Sequence, residues 1–436
     1  MTRRPRWTPL SLVLAAALAL FGVAPAALAD PTTDQGDPPQ HAYAAEGQEI
    51  AGGDSLAQAA PIVPGIHRDT FDRGGEEQFG EGTTKYYRVA VEDGQRVHAA
   101  ATIAAPPYPE GLPEQDSPLA AGVSFVTAGG EACEESGTDD VGEAFTGDGP
   151  ITTTAVSSTV GSDGCSGDEL FVQVTRAGTR SAEVPLPIEI QVAVQPSGLG
   201  GGSPVVDEEI EDAGASPVAP ADSAPITLGR SFAGAAPLEP GSYVVELVPG
   251  ETGLVRIEVQ EGQRLRWRTE VTSAPEQEAG TLSLRTFNAA RAPVWVGEGT
   301  MPLSGSDRVA GGGMGAPVDL GNRSSELEAV QTAWVPGTHT IQLQRLQRAA
   351  DADPAGNEPV TLILTLEVEG EVAEDAAESP VLELGETTSG AGDRAGLLGI
   401  DGGLGRIALF VGAGLLTLMA LTTGTAGVLV LRLRRG

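Results

Sequence analysis

One set of strand patterns occurs twice in this chain, about 170 residues apart. Four pairs of matching segments carry the repeat: residues 61–65 with 237–241, 88–97 with 256–265, 172–176 with 341–345, and 187–194 with 359–366. A nearly constant spacing over four separate segments is typical of a duplicated domain. The chain is therefore expected to use one fold twice.

Within each copy, apolar residues alternate with polar ones at the period of a β-strand. In the first copy this alternation covers residues 87–91 and 97–103, and the Asp93-Gly94 turn between them predicts a β-hairpin. The second copy repeats the pattern, and its Trp267 lies in phase with the core positions. No helical periodicity of useful length interrupts these strands. We therefore predict an all-β fold class with two tandem antiparallel β-sandwich domains.

The two ends of the chain have the patterns of an exported membrane protein. Residues 1–29 combine an Arg-rich start, an apolar stretch and an A-L-A site, which is typical of a cleaved signal peptide. Residues 407–431 carry no charge and are long enough for one C-terminal transmembrane helix. The Arg-rich tail at 432–436 favours the cytoplasmic side. We predict a single-pass protein of the cell membrane with its N-terminus outside and its C-terminus in the cytoplasm.

These patterns divide the chain into eight segments. They are the signal peptide (1–29), a flexible mature N-terminus (30–60), β-sandwich 1 (61–196), a Gly/Pro/acidic linker (197–228), β-sandwich 2 (229–369), an acidic stalk (370–406), the transmembrane helix (407–431) and the cytoplasmic tail (432–436). Within the linker, the acidic run at 207–212 is interpreted as a spacer that extends by self-repulsion.

The charge of the chain excludes one class of partner. The 436 residues contain 26 Lys and Arg against 60 Asp and Glu, a formal net charge of -34. Nucleic-acid binding needs clustered cations, whereas here the basic residues are scattered and Lys85 is the only lysine. We therefore exclude a nucleic-acid partner and expect an acidic, well-solvated exported surface.

The segment YYRVAVEDGQRV at residues 86–97, with its copy at 255–265, resembles the bacterial pre-peptidase C-terminal (PPC-like) domain. That family has an aromatic-rich strand, a G-Q or G-D turn and a returning strand of alternating apolar residues. The Ala, Gly and Arg bias and the paired domains also resemble exported membrane proteins of high-GC actinobacteria. The resemblance implies jelly-roll-like β-sandwiches that assist secreted enzymes or bind surface ligands. It implies no catalytic residues.

Cys133 and Cys165 are the only cysteines, and both lie in the part predicted to be exported. In an oxidising environment one disulfide is expected, and it would close a polar, Gly-rich loop. Free thiols and a metal site are the alternatives, but neither a second cysteine pair nor a nearby histidine favours zinc. The second copy has no cysteine, so the disulfide is expected to belong to the first domain alone.

Two kinds of candidate binding residue stand out. The calcium candidates lie in or beside the loop between the cysteines: Asp139, Asp140, Asp163, Asp168 and Glu169. They match no EF-hand pattern, so solvated loop charge is the alternative interpretation. In the second copy, Trp295 and Trp334 lie beside turn residues and are candidates for contact with a sugar or a partner, with packing as the alternative.

Linear catalytic motifs are absent from the sequence, which contains no G-x-S-x-G turn, no H-E-x-x-H zinc motif and no phosphate-cradling loop. Paired carboxylates for glycoside hydrolysis leave no linear motif and stay open at this stage. We predict a membrane-anchored, extracellular, non-catalytic binding or accessory protein that needs no cofactor and engages another exported or membrane protein of the envelope. The alternative is binding of envelope carbohydrate or wall polymer, assisted by calcium.

Overall fold

Four β-sheets account for nearly all regular structure in the described part of the chain. The computed structural model describes residues 41–76, 81–114, 117, 119–133, 141–144, 148–199, 202–216, 224–276, 279–297, 299–305, 308–373 and 381–385. The predicted all-β class is confirmed for these residues. The sheets pack in two pairs, and each pair encloses its own hydrophobic core.

The first pair, sandwich 1, is built from ten strands. These are β1 (Gln48–Glu49), β2 (Ala60–Pro61), β3 (Gly65–Phe71), β4 (Glu81–Ala90), β5 (Arg96–Ile103), β6 (Leu119–Val126), β7 (Val141–Ala144), β8 (Ile151–Val156), β9 (Glu169–Ala177) and β10 (Leu186–Gln195). One sheet has the order β1-β3-β10-β5-β8 and the other β2-β4-β9-β6-β7. Phe71, Tyr87 and Phe125 are among the fully buried side chains between them.

The second pair, sandwich 2, contains eleven strands. These are β11 (Ala224–Pro225), β12 (Ala236–Pro237), β13 (Gly241–Leu247), β14 (Thr252–Val259), β15 (Arg264–Ser273), β16 (Thr281–Phe287), β17 (Pro293–Val294), β18 (Thr300–Pro302), β19 (Val309–Gly313), β20 (Gly337–Arg345) and β21 (Val360–Glu369). One sheet has the order β11-β13-β21-β15-β19, and the other β12-β14-β20-β16-β17 with β18 beside β16. Trp267, predicted as a core residue, is fully buried here.

Helical structure in the described residues is limited to short pieces. They are the 3₁₀ turns Leu56–Gln58, Leu320–Ser324 and Pro354–Asn357 and the single α-helical turn α1 (Glu328–Gln331).

Both sandwiches share one topology. In each sheet a two-residue strand runs parallel to its neighbour, and the remaining pairs of strands are antiparallel. The long strands also follow one order, since β3-β10-β5-β8 in sandwich 1 corresponds to β13-β21-β15-β19 in sandwich 2. Eight main strands divided between two sheets in this way form a jelly roll. The repeat in the sequence is thus visible as a repeat of topology.

The Asp93-Gly94 turn connects two sheets. β4 pairs with β2 and β9, whereas β5 pairs with β8 and β10 in the opposite sheet. The predicted hairpin is therefore wrong, and the equivalent turn between β14 and β15 also crosses from one sheet to the other. Both strands alternate because each buries one face in the shared core. Alternation and a Gly turn do not distinguish this arrangement from a hairpin.

Parts of the segments predicted to be flexible are packed in the fold. Tyr43 is buried, and β1, which also lies in the predicted N-terminal tail, pairs with β3. In the predicted stalk, Val381 and Leu382 are buried and Glu383 pairs with Val194 of β10. The prediction of flexibility is wrong for these residues because their apolar side chains and backbone groups find partners on the sandwiches.

Residues 205–216, inside the predicted linker, lie against sandwich 2, and we call them the acidic strap. The Asp212 carboxylate lies 3.0 Å from Arg264 and 2.8 Å from Arg266 of β15. The N–H of Ala215 donates to a carbonyl of the same strand at 3.1 Å. The spacer interpretation is wrong for the strap because the arginines of β15 compensate its charge, so self-repulsion does not extend it.

The predicted signal peptide (1–29), transmembrane helix (407–431) and cytoplasmic tail (432–436) lie outside the described residues. Within the part of the chain that the structure describes, no helix combines the length and the apolar character needed to cross a bilayer. These three assignments therefore stay predictions from the sequence.

Candidate functional site at the joint between the sandwiches

The outer face of β10 belongs to a buried joint between the sandwiches. Because side chains alternate along a strand, Ile188, Ile190 and Val192 point into the core of sandwich 1, whereas Glu189 and Gln191 point away from it. An outward charged side chain is usually exposed, yet Glu189 is completely buried and Gln191 is 7% exposed. Segments of sandwich 2 cover this face.

Two small apolar clusters contribute to the joint. One contains Tyr43, Ala45, Ala104, Phe232, Ala235, Leu254 and Phe287. The other contains Ala193, Ala289, Ala290, Trp334, Val335, Val381 and Leu382. Each cluster joins residues of both sandwiches, so removal of apolar surface from water stabilises the joint.

A buried ion pair crosses the joint. Glu189 Oε1 lies 2.6 Å from Arg291 Nη2, and both side chains are shielded from solvent. The same carboxylate accepts the N–H groups of Glu46 at 2.9 Å and Ala233 at 3.3 Å. Pairing and hydrogen bonding offset the loss of hydration that burial of these charges requires. Burial, with the nearby Glu189 charge, also raises the pKa of the Tyr43 hydroxyl well above its usual value.

A turn after β16 positions Arg291. The N–H of Arg291 donates to the carbonyl of Asn288 at 2.8 Å, and Asn288 Oδ1 accepts the N–H groups of Ala290 and Ala292. Arg291 has a φ of 61°, in the left-handed region that non-glycine residues rarely adopt. Its guanidinium lies 4.5 Å from the ring centroid of Phe232. Backbone strain of this kind is concentrated at functional sites, where the surrounding structure maintains it.

A pocket of about 110 Å³ lies beside this turn, and we call it the joint pocket. It is lined by Ile66, Gln191, Phe232, Ala233, Arg256, Asn288, Ala289, Arg291, Thr338, Thr340 and Leu384. Among the described residues, Asn288 Nδ2 and Arg291 Nη1 are buried without a hydrogen-bond partner. Half-buried Arg256 likewise has no side-chain partner in the described ranges. Three groups with free N–H donors therefore line one space.

A wider hollow of about 360 Å³ lies beside β3, with Asp69 in its lining. Asp69 accepts hydrogen bonds from Lys85 Nζ at 2.7 Å, the Tyr87 hydroxyl at 2.6 Å and the N–H of Gly52 at 2.8 Å. Burial and the Asp69 charge raise the pKa of the Tyr87 hydroxyl. These contacts engage both carboxylate oxygens in a structural network, so we place the candidate site at the joint pocket instead.

Trp334, predicted as a binding candidate, is part of the joint. It is 8% exposed, the Arg323 guanidinium lies 4.7 Å from its ring centroid, and the His98 ring lies 5.5 Å away. These contacts cover the indole, so the prediction of an accessible stacking surface is wrong for Trp334. The sequence could not reveal this, because His98 belongs to the other sandwich.

Trp295, the second aromatic candidate, is 45% exposed. Its Nε1–H donates to Glu209 of the acidic strap at 3.2 Å, and its backbone N–H donates to Thr332 Oγ1 at 3.0 Å. These two hydrogen bonds hold the indole in one orientation at the surface.

The calcium candidates are not brought together in the described part of the chain. Asp163 and Asp168 are exposed, and Glu169 lies 3.0 Å from Arg88 in an ion pair. Asp139 and Asp140 lie outside the described residues. Within the described ranges, no group of three or more His, Cys, Asp or Glu side chains is placed to hold a metal ion.

The predicted disulfide between Cys133 and Cys165 is confirmed, with the two Cα atoms 4.9 Å apart. Both cysteines are buried in the core of sandwich 1. The N–H of Cys133 also donates to the carbonyl of Phe125 in β6 at 2.8 Å. The prediction that the disulfide closes a polar loop is wrong for part of this segment, because β7 and β8 lie between the two cysteines and β8 contributes Ile151 and Ala155 to the core.

The sequence patterns did not predict the joint pocket. Its residues come from distant segments, and the paired Glu189 and Arg291 are 102 positions apart. One signal was present: Glu189 is the single charged residue in the strand LPIEIQVAVQ. A charge inside such an apolar pattern indicates a buried partner, but it does not identify that partner.

Comparison with known proteins adds little to this geometry. No protein-family model matches the sequence, and no curated protein matches it. A solved structure of the N-terminal CBM22-1-CBM22-2 tandem domain of Paenibacillus barcinonensis Xyn10C aligns at 9% identity, covering 77% of this chain and 95% of that one, with a TM-score of 0.18. The ANX1 ectodomain of Arabidopsis thaliana aligns at 8% identity, covering 69% of this chain and 83% of that one, with a TM-score of 0.17. The ANXUR2 extracellular domain, also from Arabidopsis thaliana, aligns at 9% identity, covering 73% of this chain and 96% of that one, with a TM-score of 0.16. Alignments at these TM-scores support neither a shared fold nor a shared function.

Proposed function

We propose that this chain is a non-catalytic binding protein that engages another exported protein through the joint between its two sandwiches. The observation that carries the proposal is the joint pocket, in which Arg256, Asn288 and Arg291 present N–H donors without partners in the described residues. A buried donor without an acceptor destabilises a fold. Such donors are therefore expected where a bound group supplies the acceptor.

The joint supports this proposal because it holds the pocket in one shape. The ion pair between Glu189 and Arg291 and the two apolar clusters fix the elements that line the pocket. Binding to a preformed site avoids the entropy loss of ordering it.

The sequence supports the setting of the proposal. The predicted signal peptide, transmembrane helix and Arg-rich tail favour a protein held on the outer side of the cell membrane, where it would meet partners in the envelope. The resemblance to pre-peptidase C-terminal domains favours an accessory role without catalysis.

A pull-down of partner proteins from the cell envelope of the source organism tests the proposal. The full-length protein in mild detergent is compared with Arg256→Glu, which reverses a charge in the joint pocket. Arg285→Glu is the matched control, because Arg285 is exposed on β16 of the same sheet and does not line the pocket. We expect one protein to be captured by the wild type and by the control and to be lost with Arg256→Glu. Equal capture by all three, or no specific capture, would reject the joint as the binding site.

Carbohydrate binding is a second candidate function, favoured by the exposed and oriented ring of Trp295. An indole offers a flat apolar face together with a polar edge. The test is binding of the full-length protein to a glycan array and to purified wall, with and without calcium. Binding that disappears in Trp295→Ala and persists in Arg256→Glu would support this candidate. Absence of wall binding at several calcium concentrations would remove it.

A further inference from the structure

We propose that the joint pocket binds a single carboxylate group, carried by an acidic side chain of the protein partner. This inference rests on the proposed function and adds the chemistry of the group that enters the pocket.

The charge of the pocket lining is opposite to that of the chain as a whole. Arg256 and Arg291 are its charged lining residues, while the formal net charge of the protein is -34. Glu189 lies outside the lining and already accepts hydrogen bonds from Glu46, Ala233 and Arg291. The Arg256 guanidinium, by contrast, makes no ion pair with a carboxylate of the described residues. A bound anion would supply a counter-charge.

The hydrogen-bonding groups specify what kind of anion fits. Asn288 Oδ1 is occupied by the N–H groups of Ala290 and Ala292, so the free side of this amide is its Nδ2 donor. Arg291 Nη1 and the Arg256 guanidinium are also donors. A carboxylate carries only acceptors and matches such a set, whereas an amide would bring N–H groups of its own towards these donors.

The size of the pocket favours one side chain over a whole small molecule. Pockets for small molecules typically enclose about 300–1,000 Å³, whereas the joint pocket encloses about 110 Å³. Phe232 and Leu384 add apolar surface to the lining, which suits the methylene groups of a Glu or Asp side chain. The occupant we infer is therefore an acidic residue of a peptide segment.

Peptides of equal length and opposite character test the inference. A labelled hexaglutamate peptide and a hexaglutamine peptide are titrated with the full-length protein in detergent, and fluorescence anisotropy reports binding. We expect hexaglutamate to bind and hexaglutamine not to bind. Arg256→Gln should weaken hexaglutamate binding by about tenfold or more, since a charge-assisted hydrogen bond is lost. Arg285→Gln should bind as the wild type does.

Asn288→Asp is a second variant that keeps the turn intact. Its carboxylate retains an oxygen for the N–H groups of Ala290 and Ala292, but it replaces the Nδ2 donor by a negatively charged acceptor. We expect loss of hexaglutamate binding with a melting temperature close to that of the wild type.

Three results would overturn the carboxylate assignment. They are equal binding of both peptides, no binding of hexaglutamate at millimolar concentration, and wild-type binding by both Arg256→Gln and Asn288→Asp.

The two experiments separate the carboxylate assignment from the proposed function. If partner capture depends on Arg256 and hexaglutamate does not bind, the carboxylate assignment is wrong and the proposed function stands. If hexaglutamate binds through Arg256 and no envelope protein is captured, the proposed function is wrong and the carboxylate assignment stands. Tighter binding of oligogalacturonate than of hexaglutamate would overturn the peptide as the source of the carboxylate.

Discussion

Asp148 and His339 are ionisable side chains with almost no exposure to solvent. Burial raises the pKa of Asp148 to about 6, although the N–H of Gln347 and the charge of Arg180 favour its ionised form. Burial lowers the pKa of His339 to about 4, although its contact with the carbonyl of Gly337 favours the charged form. In both residues the fold favours the neutral form. The two therefore give opposite dependences of stability on pH.

The contribution of Asp148 to the stability of the fold is expected to be smaller at neutral pH than in mild acid. Below the usual carboxyl pKa of 3.8 the group is protonated in both the folded and unfolded states, and above about 6 it is ionised in both. Its contribution to stability therefore falls as the pH rises between these values. Asp148→Asn should raise the free energy of unfolding by about 3 kcal/mol at pH 7 and leave it unchanged near pH 4. Denaturant titrations followed by tryptophan fluorescence measure this, and a constant difference at all pH values would contradict it.

For His339 the dependence of stability on pH has the opposite sign. The unfolded state binds a proton near pH 6.5 and the folded state near pH 4, so stability is lost as the pH falls through this interval. The expected loss is about 3 kcal/mol. His339→Asn keeps a donor for the carbonyl of Gly337 and cannot be protonated, so its stability should depend less steeply on pH. Denaturant titrations of this variant and the wild type at pH 7 and pH 4 check the prediction. The prediction is wrong if the free energy of unfolding falls by the same amount in the variant and in the wild type between pH 7 and pH 4.

Among the structural elements, the acidic strap forms ion pairs with β15 through the carboxylate of Asp212. Burial alone would raise the pKa of Asp212, but hydrogen bonds from Arg266 and the N–H of Gly214 and the charge of Arg264 hold it below its usual value. Because the folded pKa is the lower one, this contribution to stability is present at neutral pH and is lost as the pH falls below about 4.

Asp212→Asn should release the strap at pH 7. The loss of charge-assisted hydrogen bonds is expected to lower the free energy of unfolding by about 2 kcal/mol. It should also make residues 205–216 sensitive to limited proteolysis, with the cleavage sites read by mass spectrometry. Asp207→Asn is the control, because Asp207 is exposed in the same strap. Equal protease resistance of both variants would show that Asp212 does not hold the strap.

The sequence predicted most of the strands, but it did not predict which strands pair with each other in a sheet. Alternation over residues 87–91 and 97–103 correctly indicates two strands, but it does not show that β5 is buried on both faces. Whether the next strand returns in the same sheet or crosses to the other depends on the packing of the whole core, which alternation does not encode. The strap was misread for a related reason, since the cations that compensate it belong to β15, about 50 residues away.

At the scale of the whole molecule, the joint turns two copies of one fold into a single compact unit. Its parts come from the N-terminal segment, from β10, from the turn after β16 and from residues 381–384. No copy of the repeat contains these parts together, so the candidate site is a property of the pair. This explains why the sequence predicted the duplicated fold and missed the site between the copies.

The ion pair between Glu189 and Arg291 should couple the unfolding of the two sandwiches. Glu189→Gln leaves the Arg291 guanidinium buried without a counter-charge, which is expected to destabilise the protein by about 3–5 kcal/mol. Because this destabilisation weakens the contact between the two sandwiches, they should unfold separately. Calorimetry should therefore show two transitions in the variant and one in the wild type. Glu169→Gln, which breaks the exposed pair with Arg88, is the control and should change stability by at most about 1 kcal/mol. The double variant Glu189→Gln with Arg291→Met removes both charges and keeps a side-chain oxygen for the N–H groups of Glu46 and Ala233, so it should recover part of the loss. A single transition in Glu189→Gln, displaced no further than in the control, would show that the pair does not hold the joint.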